Sequence, residues 1–417
     1  MSTRLLACAL ACVCSLCAET LSLAELIAEA LDRNPEVLAA QKNLEASRQR
    51  PDQESALPDT MVSVGYASSG RPWPGAGLGR EPIANAGFMV TQEFPFFGKR
   101  RLRGDIARKE AQAESDQYQA VQWRVVSQLK QAYYQLAHAH QLRGVLEQNK
   151  VLLDKMRKVA EIRYSVGKAS QQDVFKLQTQ LSLMEVRTIQ VEREQHTKEA
   201  EILSLINRAP TDRLGEPVMP VPQPLPVSLE QLLAAANGKA PALDRDRRLI
   251  ERNQIALNLA RKDYYPDYAV SAGYFNMGRM ADMYQVRLDI KLPTSFFRKQ
   301  RPAEAEQVSR LAAARRVLEA TAQSLAFRIK DEYLLAQTSI RLMRAYEFAV
   351  VPQASLALES SLSSYETGAV DLLTVLSNFQ TILEYQENYH DEMMNAHMAI
   401  ARLEELTGLS LVEGARP

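Results

Sequence analysis

Three methionines at regular spacing are the residues with the clearest potential chemistry in this chain of 417 residues. Met277, Met280 and Met283 recur at every third position in a short segment that also contains a glycine. Thioether sulfur is a soft donor, and soft donors suit Cu(I). The spacing therefore predicts a contact site for a soft metal ion, and the alternative is a flexible apolar loop.

A second group of soft and imidazole donors lies near the end of the chain. Residues four apart on a helix share one face, so two members of this group could hold one ion. The favoured interpretation is structural, with methionines that fill gaps in a helix seam and histidines that find hydrogen-bond partners. The group comprises His390, Met393, Met394, His397 and Met398.

The sequence has no pattern typical of an enzyme. Gly75, Gly77 and Gly79 lie in a proline-rich segment without a strand before it or a helix after it, which argues against a dinucleotide site. His138 and His140 are two residues apart and would point in different directions on a helix. Neither Gly-x-Ser-x-Gly nor His-Glu-x-x-His occurs. We therefore predict that the protein is not an enzyme and has no cofactor.

Positive and negative residues balance along the chain. There are 50 Lys and Arg residues and 50 Asp and Glu residues, with no long run of one sign. A protein without a basic field has no general attraction for nucleic acid. We therefore predict no nucleic-acid partner.

Residues 1–18 have the pattern of a signal peptide. Arg4 precedes an apolar run of about 14 residues, which is too short to span a bilayer. All four cysteines lie in this segment, so the remainder has neither a disulfide framework nor a zinc site. Cleavage after Cys17 or Ala18 is the favoured interpretation, and lipidation of Cys17 is the alternative.

The rest of the chain consists of two similar halves. Short motifs recur in the same order at offsets of about 200 to 208 residues, a period far too long for a solenoid. A segment with six prolines separates the halves and predicts an extended linker. The predicted organisation is a first repeat over residues 19–208, the linker over 209–226, a second repeat over 227–408 and a tail over 409–417.

Each repeat contains two predicted strands with alternating side chains. In the second repeat an apolar series, from Tyr284 to Leu292, alternates with a polar series. This length and pattern are typical of a tilted membrane strand whose polar face lines a wet lumen. Aromatic pairs followed by basic residues, Phe96-Phe97 and Phe296-Phe297, flank the strands as expected beside lipid headgroups. The predicted lumen residues are Gln285, Arg287, Asp289 and Lys291.

A long polar helix is predicted after each hairpin. The first covers about residues 99–163 and would be about 95 Å long, and the second covers about residues 302–364. Helices of this length and polarity form coiled-coil seams. Each ends at a Tyr-x-x-Gly turn, where Gly167 or Gly368 can adopt the positive φ that ends a helix, and a return helix follows.

A helix, a β-hairpin, a long helix, a Tyr-x-x-Gly turn and a return helix thus occur twice around a proline-rich linker. In this order the chain resembles the TolC family of outer-membrane efflux ducts, from about Leu21 to Gly408. The resemblance implies a mixed α/β membrane protein. Its trimeric 12-stranded transmembrane β-barrel, with four strands per chain, would be continued by a long antiparallel α-helical coiled-coil barrel in the periplasm. Independently, four strands cannot close a barrel, for which about eight is the practical minimum.

The resemblance also implies a function and its partners. The chain would be the outer-membrane channel of a tripartite efflux system, in contact with the lipid of the Gram-negative outer membrane. Its partners would be two further copies in a homotrimer, a periplasmic adaptor (membrane fusion) protein and an inner-membrane pump. The methionine spacing favours copper, silver or other heavy-metal ions as substrate, and the alternative is drugs or other small organic molecules. A periplasmic adaptor or a coiled-coil scaffold is the alternative class of protein.

The two Tyr-x-x-Gly turns are the expected docking site for the adaptor. The residues concerned are Tyr164, Gly167, Tyr365 and Gly368. In the alternative, the glycines only end the helices and the tyrosines pack beneath the turns.

The tunnel constriction of the family is the second expected site. In the best-known member, acidic residues narrow the tunnel six and nine positions after the second tip glycine. Thr374 and Ser377 stand at those positions here, which puts an acidic constriction in doubt. Asp371 and Asp173 are the nearby carboxylates, and Asp173 has the alternative role of a charge at a helix N-terminus.

Overall fold

A computed structural model describes residues 20–411. The predicted signal peptide, with Cys17, and residues 412–417 of the predicted tail lie outside the described residues. Among residues 20–411, no helix is both long enough and apolar enough to cross a membrane.

The chain divides into two compact units, and each takes segments from both predicted repeats. The helical unit contains the described residues up to Val37, Gln122–Ala235 and those from Arg328 onward. The sheet unit contains Leu38–Val121 and Ala236–Phe327. The compact units therefore cut across the repeats, whose boundaries at residues 19–208, 209–226, 227–408 and 409–417 stay a prediction.

The elements alternate between helices and short strands. In chain order they are β1 (Thr20–Leu21), α1 (Leu23–Arg33), α2 (Pro35–Ser55), β2 (Met61–Ala67), β3 (Asn85–Phe94), α3 (Lys99–Ser165), α4 (Gln171–Leu205), β4 (Glu216–Pro217), α5 (Leu229–Lys239), α6 (Pro241–Lys262), β5 (Asp267–Asn276), β6 (Met283–Lys291), α7 (Arg301–Ala345), α8 (Val351–Thr367) and α9 (Leu372–Thr407). The helix–hairpin–helix–helix order predicted for each repeat is confirmed.

The two predicted hairpins join into one antiparallel sheet with the strand order β2-β3-β5-β6. The junction between the hairpins is the pairing of β3 with β5, in which Phe88 lies opposite Tyr274. Within the hairpins, Val64 lies opposite Phe88 and Tyr274 lies opposite Tyr284. Local alternation of side chains was enough to predict each hairpin. The β3–β5 pairing, in contrast, joins residues about 180 positions apart, and the contact between the Thr91 and Ser271 hydroxyls is one example.

The first long helix, α3, has 67 residues and agrees with the prediction. The second was predicted to begin near Pro302, but helical structure begins at Phe296 with a π-helical turn, Phe296–Gln300. A second π-helical turn, Tyr346–Val350, separates α7 from α8. Each turn ends two residues before a proline, Pro302 or Pro352. Because a proline lacks an N–H and its ring clashes with the carbonyl four residues earlier, a wider turn accommodates it within a continuing helix.

The core of the helical unit lies between two antiparallel helix pairs. Pair α3/α4 and pair α8/α9 share one cluster of buried apolar side chains. Leu146 and Leu153 of α3 and Leu177 of α4 meet Val375 and Phe379 of α9 in this cluster. The coiled-coil seams predicted within each repeat therefore also join the two repeats.

The proline-rich linker is extended and is held against the helical unit. Its two-residue strand β4 pairs in parallel with β1. The Tyr133 hydroxyl accepts a hydrogen bond from the Val218 N–H at 2.9 Å and lies 3.0 Å from the Leu21 carbonyl oxygen, to which it can donate. His397 lies with its Nε2 2.7 Å from the Pro220 carbonyl oxygen and its ring stacked on Tyr134 at 4.3 Å. Because a carbonyl only accepts, Nε2 carries the proton, and burial lowers the pKa of this histidine.

A buried ion pair links α3 to α9. Lys130 Nζ contacts Glu404 Oε2, and the two side chains are 4% and 2% exposed. The second carboxylate oxygen of Glu404 accepts a hydrogen bond of 2.7 Å from the Leu411 N–H. The pair therefore also fixes the segment that follows α9.

Removing one member of this pair should destabilise the helical unit strongly. We expect Lys130→Met to lower the free energy of unfolding by about 3–5 kcal/mol, because it removes the buried cation that faces the Glu404 carboxylate. The double variant Lys130→Met/Glu404→Gln removes both charges but keeps the acceptor for Leu411, and should recover most of the loss. Circular dichroism during denaturant unfolding in detergent measures both. A single variant as stable as the double would show that Glu404 is not buried as a charge.

Candidate functional site

One face of the four-stranded sheet is apolar. Directly opposite residues of an antiparallel sheet lie on the same face, so the register assigns every side chain to one side. The central residues of this face are exposed within the chain, Val64 by 83% and Val286 by 81%. An exposed apolar face of this extent marks a contact with a membrane or with another protein. Its apolar side chains are Val62, Val64, Tyr66, Ala86, Phe88, Val90, Phe94, Tyr268, Val270, Ala272, Tyr274, Tyr284, Val286, Leu288 and Ile290, and the polar residues Gln92 and Asn276 lie on the same face.

The opposite face of the sheet is polar and partly self-paired. The predicted lumen residues Gln285, Arg287, Asp289 and Lys291 all lie on this face of β6. Arg287 Nε lies 2.9 Å from Asp289 Oδ2. On the neighbouring strands, the hydroxyls of Thr91 and Ser271 lie 3.0 Å apart. Such a face is suited to water, and its position along a lumen stays a prediction.

Glycines bring the connections of the two hairpins together. Gly278 has φ +74°, and a Cβ added there would lie 2.4 Å from the backbone nitrogen of Gly79, itself at φ +71°. Only glycine fits a positive φ at so close a backbone approach. Gly79 belongs to the Gly75-x-Gly77-x-Gly79 pattern, whose role is not evident from the sequence because the partner of Gly79 is almost 200 residues away.

The three methionines lie in the same part of the chain as Gly278. Met277 and Met280 lie in the β5–β6 connection, and Met283 begins β6. Asp282, the nearest carboxylate in sequence, accepts hydrogen bonds from the Tyr274 hydroxyl at 2.7 Å and from Asn276 Nδ2 at 3.1 Å. Within residues 20–411, no group of three or more His, Cys, Asp and Glu could hold a metal ion. The predicted metal contact therefore depends on the thioethers.

Histidines and methionines of α9 pack or form hydrogen bonds inside the helical unit. Met393 is buried, and His397 is bonded to the linker as described. His390 Nδ1 lies 3.0 Å from Gln141 Oε1, and burial lowers the pKa of this histidine to about 4. These contacts agree with the structural interpretation of the group.

The two Tyr-x-x-Gly turns share one backbone geometry. Gly167 has φ +72° and Gly368 has φ +89°, so the predicted left-handed residues are confirmed. In each turn an N–H donates back across the glycine, from Lys168 to the Arg163 carbonyl and from Ala369 to the Ser364 carbonyl, both at 2.8 Å. This six-to-one bond is the Schellman arrangement that satisfies carbonyls at a helix end.

The tyrosines of these turns differ in burial. Tyr164 is 46% exposed, whereas Tyr365 is 2% exposed. The Arg163 guanidinium lies over the Tyr365 ring, 4.5 Å from its centroid, and Arg163 Nη2 donates to the Lys168 carbonyl at 3.2 Å. Burial, together with the charge of Asp173, raises the pKa of the Tyr365 hydroxyl. Tyr365 thus supports the turns from beneath, and Tyr164 is the tyrosine available to a partner.

The predicted constriction residues lie at helix starts. Ser170 caps α4: its hydroxyl accepts a hydrogen bond from the Asp173 N–H at 3.3 Å and lies 3.0 Å from Asp173 Oδ1. Asp371 caps α9 and accepts from the N–H and the hydroxyl of Thr374 at 3.1 and 2.6 Å. The hydrogen bonds from Thr374 lower the pKa of Asp371. Ser377 is exposed one turn further along α9. Both carboxylates therefore have a local role in capping, and a narrowed tunnel stays a prediction.

Known proteins share this fold. Residues 26–208 match the family model described as outer membrane efflux protein. No curated protein sequence matches the chain. The outer membrane protein VceC of Vibrio cholerae is 18% identical, with a TM-score of 0.79 over 93% of this chain and 96% of that chain.

Two further solved structures give the same result. A membrane protein from Pseudomonas aeruginosa is 15% identical, with a TM-score of 0.79 over 93% of each chain. The outer membrane channel MtrE of Neisseria gonorrhoeae, in its open state, is 14% identical, with a TM-score of 0.73 over 93% of this chain and 88% of that chain. The resemblance found in the sequence is confirmed. Residues 26–208 match the model of the outer membrane efflux protein family, and the chain has the fold of the TolC-family outer-membrane channels.

Proposed function

We propose that three copies of this chain form the outer-membrane duct of a tripartite efflux system. The observation that carries the proposal is the four-stranded sheet with an exposed apolar face and a polar face. Its outer strands, β2 and β6, each have one edge without a strand partner among the described residues. Unpaired edges invite strands from another chain, and about eight strands are needed to close a barrel. Three copies would supply twelve strands and leave no edge.

In such a barrel the apolar face would contact lipid and the polar face would surround the lumen. Gln285, Arg287, Asp289 and Lys291 would then line the water-filled passage. Position 288, between Arg287 and Asp289, would contact hydrocarbon.

Neighbouring positions 287 and 288 test this orientation directly. We expect Arg287→Cys to react quickly with a hydrophilic thiol reagent in intact outer membranes, and Leu288→Cys to react slowly because lipid excludes the reagent. Leu288→Arg should cost about 2–4 kcal/mol of stability if the position is near the bilayer midplane. The two cysteine variants are matched controls for each other. Equal labelling of both positions would contradict the proposed barrel.

The paired turns are proposed as the docking surface for a periplasmic adaptor, which would connect the duct to an inner-membrane pump. Tyr164, Val166 and Gly167 of the first turn and Gly368 of the second are exposed, with Tyr365 as their internal support. Two turns of equal geometry suit repeated contacts with one kind of partner. On this proposal the nearby Asp173, Asp371, Thr374 and Ser377 would surround the narrow end of the tunnel.

Disturbing one turn should stop export without removing the protein. Gly368→Val places a β-branched residue at φ +89°, which costs about 1–3 kcal/mol. We expect export to fail while the trimer persists, and adaptor crosslinks from Glu366→Cys or Ala369→Cys to disappear when Gly368→Val is added.

A glycine without such a constraint provides the control. A Cβ at Gly144 of α3 meets no atom within 4 Å, so Gly144→Val should leave export and crosslinking intact. If Gly368→Val exports normally and no adaptor crosslink forms from either turn, the turns are not the docking surface.

The methionine spacing favours soft metal ions as the substrate of the duct. A variant with leucine at positions 277, 280 and 283 keeps the apolar volume but removes the sulfur atoms. We expect it to lower tolerance to copper or silver while trimer levels and export of organic compounds stay normal. Unchanged metal tolerance would remove the methionines from the mechanism and leave organic molecules as the favoured substrate class.

A further inference from the structure

A cavity of about 690 Å³ lies in the sheet unit where the apolar face of the sheet ends. This volume is within the range of about 300–1,000 Å³ found for small-molecule sites. The cavity is bordered by the end of α2, the end of β3, the β3–α3 connection and the first turns of α3. The side chains that decide its chemistry are Phe94, Phe97, Arg100, Arg101, Arg108 and Tyr268.

The cavity wall nearest the sheet continues the apolar face. Phe94 and Tyr268 lie opposite each other across β3 and β5, on the same side of the sheet as Val270. Phe97, in the connection between β3 and α3, is 82% exposed. A hydrocarbon chain lying on the apolar face would therefore reach the cavity along Val270 and Tyr268 of β5, beside the single polar residue Gln92 of β3.

Three arginines form the opposite wall. Arg100 Nε donates to the Ser55 carbonyl at 2.9 Å, which fixes this side chain between α2 and α3. Arg101 and Arg108 are exposed, and both are held by Asp105, with Arg101 Nε 3.8 Å from its Oδ2. Guanidinium groups match the oxygens of a phosphate group, and three of them against one carboxylate leave an excess of positive charge.

Lys99 belongs to the same basic run in the sequence but does not contribute to this wall. Its side chain is 4% exposed, with Nζ 2.9 Å from Asp267 Oδ1 and 3.3 Å from Asp263 Oδ1. The ammonium group is thus neutralised within the sheet unit, and arginines alone face the cavity.

We propose that this cavity binds the phosphate-bearing headgroup of an anionic phospholipid, with the acyl chains along Phe94 and Tyr268. A phospholipid fits better than free phosphate because the arginine wall and the apolar wall belong to one continuous surface. The proposal goes beyond the efflux function, since it concerns how one chain is held at a fixed depth in the bilayer. It depends on lipid contact of the apolar face, and not on any exported substrate.

The second repeat provides an internal comparison. At an offset of about 200 residues, the aromatic pair recurs as Phe296-Phe297, but Gln300 and Val308 stand where the first repeat has Arg100 and Arg108. The second junction therefore lacks two of the three arginines. Its exposed basic residues, Arg298 and Lys299, serve as a control of equal charge outside the cavity.

Native mass spectrometry of the full-length protein in a nonionic detergent tests the site. The probes are phosphatidylglycerol, phosphatidylcholine and inorganic phosphate, each added separately and then in competition. The test variant is Arg101→Gln/Arg108→Gln and the control is Arg298→Gln/Lys299→Gln, both with two exposed charges removed. Circular dichroism verifies that each variant keeps its helices.

We expect phosphatidylglycerol to bind at least about tenfold more tightly than phosphatidylcholine, because each basic side chain strengthens attraction to anionic lipid severalfold. The test variant should lose about tenfold in affinity, and the control should change by less than about twofold. If both variants lose affinity for phosphatidylglycerol equally, the attraction is a general one between basic residues and anionic lipid, and the proposed site is wrong. Binding of phosphatidylglycerol no tighter than that of phosphatidylcholine, or no tighter than that of inorganic phosphate, would overturn the lipid assignment.

Discussion

The register of four paired strands is the constraint on which the rest of this structure depends. Because opposite residues share a face, one alignment places Val64, Phe88, Tyr274 and Tyr284 in a single row of apolar side chains. A slip of one residue in β6 would move its charged side chains into that row. The aligned sheet has an apolar face that requires hydrocarbon or protein as a cover, and two edges that require strands. The proposed membrane barrel would satisfy both requirements, with lipid covering the apolar face and strands of other copies pairing with the edges.

Three consecutive basic residues at the start of α3 have different surroundings and therefore different roles. Lys99 is buried between Asp263 and Asp267, Arg100 donates to the Ser55 carbonyl, and Arg101 remains exposed. The difference arises from direction around the helix, since successive residues point about 100° apart. Only part of this basic run is therefore available to a ligand at the surface.

The turns at the ends of α3 and α8 show the same divergence between equal motifs. Both glycines adopt a left-handed conformation, and both turns make the same backbone hydrogen bonds. Yet Tyr365 is enclosed beneath Arg163, whereas Tyr164 faces solvent. Two copies of one turn therefore give an exposed tyrosine and an internal support. A duplicated chain can in this way keep one backbone and separate the functions of its side chains.

Local periodicity was enough to predict the strands, the long helices, the turn glycines and the duplicated order, since each depends on residues only a few positions apart. The start of the second long helix was missed because a π-helical turn precedes Pro302 and allows the helix to begin at Phe296. The β3–β5 pairing, the Gly79–Gly278 approach and the burial of Tyr365 were decided only by tertiary structure. So was the Lys130–Glu404 pair, whose members are separated by 274 positions. Sequence spacing determines which side chains share a face of one element, but it does not determine which face of a distant element packs against them.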